Sequence, residues 1–90
     1  MNDKQIQYFV EVNQEDLSRE MAQGRGEKLA TLALLNGCAN EGSQKAFANF
    51  TQQSYGKILP SSSVTAVEMV SNLKNQMGAN SELSQMCHGS

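Results

Sequence analysis

The sequence predicts an all-α fold, a small orthogonal bundle of four to five short helices, and three observations carry the prediction. Apolar side chains recur at three- and four-residue spacing along most of the chain, which places them on single helical stripes. Glycine, proline, serine and asparagine gather at residues 24–26, 37–42, 60–63 and 78–81, and the blocks between these clusters are helix-sized. Thr65 stands three residues before Glu68 at the head of an apolar run, the spacing of a reciprocal capping pair. Short connections between successive helices favour antiparallel neighbours packed on one core.

The first block reads two ways. Ile6, Tyr8, Val10 and Val12 alternate as in a half-buried strand, whereas Ile6, Phe9, Val10, Leu17 and Met21 share a helical stripe. A strand here finds no partner strand elsewhere in the chain, so a helix over residues 3–23 is favoured, with Asn2 and Gln5 as a capping pair. In a shorter variant Asn13 caps a helix whose first turn carries Glu15 and Asp16. The second helix spans residues 26–36, with Leu29, Leu32, Ala33 and Leu35 inward, Leu34 widening the apolar face, and Gly37 as its left-handed stop. The third begins near Ser43 and buries Phe47, Phe50, Tyr55 and Ile58. It ends before Pro60, because the residue ahead of a proline avoids helical angles. The fourth follows Thr65 along Ala66, Val70, Leu73 and Met77 until Gly78 stops it. A short fifth covers residues 81–86, with Leu83 and Met86 folding back onto the rest.

Residues 1–90 make one domain, whose core is thin and whose stability margin is correspondingly small. The net charge is -2, and the few cations are scattered without a run or a stripe. A nucleic-acid binder needs several cations on one face to displace phosphate counterions, so that class is excluded. The longest apolar run, residues 29–35, is interrupted by Thr31 and falls far short of a membrane span. Residues 1–13 lack the unbroken apolar stretch of a signal peptide, so an exported form would already have lost its leader. Cys38 and Cys87 form no CxxC, and three fates stay open on composition alone: a disulfide with each other, two buried thiols, or pairing with cysteines elsewhere.

Gly24, Arg25 and Gly26 offer a candidate ligand site. Two glycines leave backbone N–H groups open at a helix start, and Arg25 adds positive charge, which suits an anion. The same residues also suit a tight junction between helices, with one glycine left-handed, the other permitting close packing, and Glu27 complementing the new helix dipole. Glu15, Asp16, Glu20 and Glu27 flank Arg19 and read as a solvated surface with local ion pairs rather than a catalytic carboxylate pair. His88 beside Cys87 lies at the chain end, where no third group holds a base in geometry, so neither catalysis nor a metal site is expected. Met21, Met69, Met77 and Met86, and the aromatics Tyr8, Phe9, Phe47, Phe50 and Tyr55, read as core. No nucleophile–base–orienter set is visible, and neither a cofactor nor a metal is implied.

Residues 9–38 then show a pattern that resembles a known family. Phe9-Val10, Asn13 and Leu17 precede a Met21-Ala22-x-Gly24-x-Gly26-Glu27 core, followed by Leu29, Leu32, Ala33, Gly37 and Cys38. Phe47, Ile58-x-Pro60-Ser61 and Leu83-Ser84-Gln85 extend the match over most of the chain. The pattern is similar to a bacterial exported family of unknown function, domain of unknown function 3015. The resemblance implies periplasmic export, no known enzymatic activity, and a further Gly-rich, cysteine-bearing N-terminal segment, so that this chain corresponds to a C-terminal helical portion. The expected function is that of a non-enzymatic periplasmic domain acting through contacts with a protein partner as an envelope accessory factor. The alternative is a small-ligand or anion-binding domain using Gly24, Arg25 and Gly26. The oxidising compartment implied by the resemblance favours a Cys38–Cys87 disulfide. So do the position of Cys38 just after a helix stop and that of Cys87 at the end of a helix that would otherwise fray. Cys38 bonded to a cysteine of the further segment is the competing arrangement.

Overall fold

Residues 3–87 are described by a computed structural model, and among them the chain forms helices and no strand. The first block is helical: α1 (Asp3–Gln23) buries Ile6, Val10, Leu17 and Met21. Phe9 is half-buried, and Tyr8 and Val12 stand in solvent. The helical stripe prevails because it closes its backbone hydrogen bonds within the segment, whereas a strand needs a neighbour. Asn13 has left the helical region at φ -117°, ψ 20°, and its Nδ2 donates to the Phe9 carbonyl at 2.9 Å. Side-chain bonding to the preceding turn competes with the ladder and bends helices, so α1 is two helical segments meeting at a kink at Asn13, where the side chain bonds back to Phe9 rather than forward as a cap. Asn2, of the expected Asn2–Gln5 capping pair, lies outside the described residues.

Helix α2 (Glu27–Leu35) buries Leu29, Leu32 and Ala33. Leu35 is half-buried, but Leu34 is 49% exposed and does not widen the buried face. The helix ends in a Schellman arrangement. Gly37 adopts φ 90°, its N–H donates to the Leu34 carbonyl at 3.0 Å, and the Cys38 N–H donates to the Ala33 carbonyl at 2.9 Å. That reversal carries Cys38 directly into the core.

The expected third helix is two. Helix α3 (Glu41–Gln53) starts earlier than Ser43 because Asn40 is the cap: its Oδ1 accepts from the Ser43 N–H at 2.8 Å, and Ser43 Oγ accepts from the Asn40 N–H at 3.2 Å. Ser54 breaks the helix at φ -101°, ψ 14°, and α4 (Tyr55–Ile58) follows at once. Ser54 and Gly56 are weak helix formers, and the break aims Ile58 into the core while Tyr55 remains half-buried. Phe47 and Phe50 lie tilted against each other with ring centroids 6.2 Å apart.

Helix α5 (Ala66–Gly78) opens on the expected Thr65–Glu68 box: Glu68 Oε1 accepts from the Thr65 N–H at 2.9 Å, and Thr65 Oγ1 accepts from the Glu68 N–H at 3.2 Å. Gly78 does not stop this helix; it is its last helical residue, and the chain turns at Ala79. In helix α6 (Ser81–Met86) Leu83 is the buried side chain, and Met86 is exposed. Helix α1 packs against α2, α3 and α5. It runs antiparallel to α5: Gln14 reaches the start of that helix at Val64, whereas Asp3 pairs with Lys74 near its end, at 3.0 Å.

Candidate functional site

The sequence's own candidate, Gly24, Arg25 and Gly26, is a junction whose polar groups bond to one another. Gly24 at φ 74° lets its N–H donate to the Met21 carbonyl at 3.2 Å, while the Arg25 N–H donates to the Glu20 carbonyl at 3.2 Å, a second Schellman closure. Gly26 precedes α2 at φ 148°, ψ 158°, a region that essentially only glycine visits, and it has no side chain with which to cap the helix. The cap comes from α1 instead: Glu20 Oε1 accepts from the Leu29 N–H, the third amide of α2, at 2.8 Å. A Cβ on Gly26 would overlap that carboxylate. Glycine at 26 and the acid at 20 are therefore two halves of one device, and the positive end of the α2 dipole already faces a negative charge. Arg25 is exposed beside it.

The remaining acids divide by side. Asp16 pairs with Arg19 at 2.7 Å and with Lys28 at 2.9 Å, so it ties α1 to the first turn of α2. The Lys28 hydrogen bond, then that of Arg19, holds the Asp16 carboxyl below the usual carboxylate range. Glu15, its neighbour, has no cation within ion-pair distance among the described residues. It points to a feature the sequence reading missed: an open groove of about 690 Å³ between the second half of α1 and the segment from Leu59 to Thr65. Tyr55, Leu59 and Val64 supply half-buried apolar wall, and Ser18 and Ser61 to Ser63 supply hydroxyls. Gln14 fixes its width by donating from Nε2 to the Val64 carbonyl at 2.7 Å. Ser18 Oγ donates to the Gln14 carbonyl at 2.9 Å, and the Ser61 and Ser63 hydroxyls bond each other at 3.1 Å. The only hint in the sequence was the serine run after Pro60, which reads equally as an ordinary loop.

Cys38 and Cys87 are bonded to each other, with Cα atoms 4.2 Å apart and a sequence separation of 49. Cys38 is fully buried and Cys87 is 9% exposed. A thiolate arriving from solvent would meet the Cys87 sulfur and expel Cys38 as a thiolate inside apolar surroundings, where a bare charge is costly to bury and the group leaves poorly. The bond is thus placed to hold α6 against the end of α2, with help from Ser84 Oγ, which donates to the Met77 carbonyl at 2.8 Å. His88 lies outside the described residues. Among the described residues no three His, Cys, Asp or Glu side chains gather as a metal site, and no helix is long and apolar enough to cross a membrane.

Fold and site together define a small all-α domain closed by one internal disulfide, with a single-acid, hydroxyl-rimmed groove on one flank. The chain belongs to the family described as protein of unknown function (DUF3015), whose model matches residues 1–87. No curated protein and no solved structure matches it.

Proposed function

We propose that this is a non-enzymatic periplasmic domain that acts by contacting another protein, as an envelope accessory factor. The observation that carries the reading is the outer face of α1. Tyr8 is 70% exposed and Val12 is 62% exposed, and residues four apart on a helix are neighbours. Neither side chain serves the core, and aromatic and apolar groups placed together on a surface suit a protein interface. The disulfide supports the compartment, because such bonds persist where the environment is oxidising. The anion-binding alternative has Glu20 against it, since an anion at Gly24, Arg25 and Gly26 would displace that carboxylate from the Leu29 amide. A phosphate-induced thermal shift abolished by Arg25→Ala would reinstate it.

The test is photo-crosslinking in cells, with a benzophenone amino acid replacing Val12 in one variant and Arg25 in another, combined with fractionation. Discrete adducts from position 12 in the periplasmic fraction, absent from position 25, are the expected result. Equal labelling from both positions, or recovery of the protein in the cytosol, contradicts the reading.

A further inference from the structure

We propose that the groove between α1 and the segment from Leu59 to Thr65 docks a partner's peptide segment that presents an apolar side chain next to a lysine or arginine. The inference rests on the protein-contact reading above and names the chemistry of the contact. Three observations carry it. The groove is open rather than enclosed, so a chain can lie along it, and its volume of about 690 Å³ has room for more than one side chain. Its wall at Tyr55, Leu59 and Val64 is apolar and only half-covered by the fold, which leaves area for an apolar side chain to remove from water. Among the described residues its one charged lining residue is Glu15, and no cation lines it.

The charge argument is sharpened by the neighbouring acid. Asp16 is neutralised twice, by Arg19 and Lys28, on the α2 side of the helix. Glu15, one residue earlier, is exposed on the groove side without a cation among the described residues. An uncompensated carboxylate on the rim of an apolar groove attracts a cation and repels an anion, and rim charges of this kind set partner choice and association rate. The hydroxyls of Ser61 and Ser63 already bond each other, and Ser18 and Gln14 bond backbone carbonyls. The wall therefore offers fewer free polar groups than a hydroxyl-rich ligand such as a glycan would use, and a peptide is the better fit.

The experiment is a selection of displayed random heptapeptides on the disulfide-intact chain, followed by fluorescence anisotropy of the enriched peptides. The variants are Glu15→Lys and Leu59→Ser, with thermal melts to establish that each is folded. Enriched peptides should pair Lys or Arg with a large apolar residue. Binding should weaken roughly tenfold in Glu15→Lys, as attraction turns to repulsion at a rim position, and should fall with added salt. Peptides without a basic bias, binding indifferent to Glu15→Lys, or no enrichment at all would overturn the proposal. A glycan array that labels the chain in a Tyr55-dependent manner would overturn it too. Crosslinks from position 12 that survive Glu15→Lys, alongside a failed selection, would leave the protein-contact reading standing and remove this groove from it.

Discussion

The α1–α2 junction and the segment from Leu59 to Thr65 are both short connections, and they use their polar groups in opposite ways. At the junction Gly24, Arg25, Glu20 and Leu29 bond to one another, and Gly26 exists to leave room for the Glu20 carboxylate. Beside the second segment, the Glu15 carboxylate, the Ser62 hydroxyl and an apolar wall face solvent. The contrast teaches that a conspicuous motif can be conspicuous because the fold depends on it. Binding capacity is better sought where charge and apolar area are left over.

Four variants break or sharpen this comparison, in order of expected effect. Replacing both cysteines by serine removes the closure of the loop from Cys38 to Cys87, which contains the segment from Leu59 to Thr65 but not the α1–α2 junction. For a bond spanning 49 residues the chain-entropy relation gives a loss of about 4 kcal/mol. Denaturant unfolding measures it, and a loss below about 1 kcal/mol would mean that α6 docks without its bond. Gly26→Val strains a glycine-only backbone and collides with Glu20, so it should cost at least about 1–3 kcal/mol or prevent folding. An unchanged midpoint would mean that the junction is not closed as described. Glu20→Ala strips the α2 cap at Leu29 and should cost about 1 kcal/mol. The same variant should retain all groove binding if the two regions are independent.

The smallest effect is the acid limb of stability. A carboxyl whose folded pKa is depressed stabilises the protein above its unfolded pKa, and that contribution is lost as pH falls through the folded value. Asp16 is such a group, lowered first by Lys28 and then by Arg19. The stability difference between wild type and Asp16→Asn should therefore be small, greatest near neutrality, and shrink below about pH 4. A difference that grows with acid would contradict the pairing.

Most of the architecture was legible because it is local. The stripe from Ile6 to Met21, the Thr65–Glu68 box and the Gly37 stop are patterns within a few residues, and each is present. The errors fall where tertiary geometry decides. The break at Ser54 depends on where Ile58 must point, and the exposure of Tyr8, Leu34 and Met86 depends on which neighbours arrive. The Asn40 cap is hidden in the sequence because Ser43, its reciprocal partner, is itself a strong cap residue and reads as the helix start. The role of Glu20 was illegible because its partner, the Leu29 amide, lies on another helix and carries no side-chain signature. The groove was illegible for the same reason, since Glu15, Tyr55 and Ser62 meet only in three dimensions.

The central claim, that Gly26 and Glu20 form one structural device, is tested most directly by a double-mutant cycle in denaturant unfolding with Gly26→Ala, Glu20→Ala and the pair. A Cβ at position 26 harms the fold partly by overlapping the carboxylate at 20, so removing that carboxylate relieves part of the harm. The pair should be less destabilised than the sum of the single variants by more than about 0.5 kcal/mol. Strict additivity would contradict the account, and would show that glycine is required at 26 for its backbone angles alone.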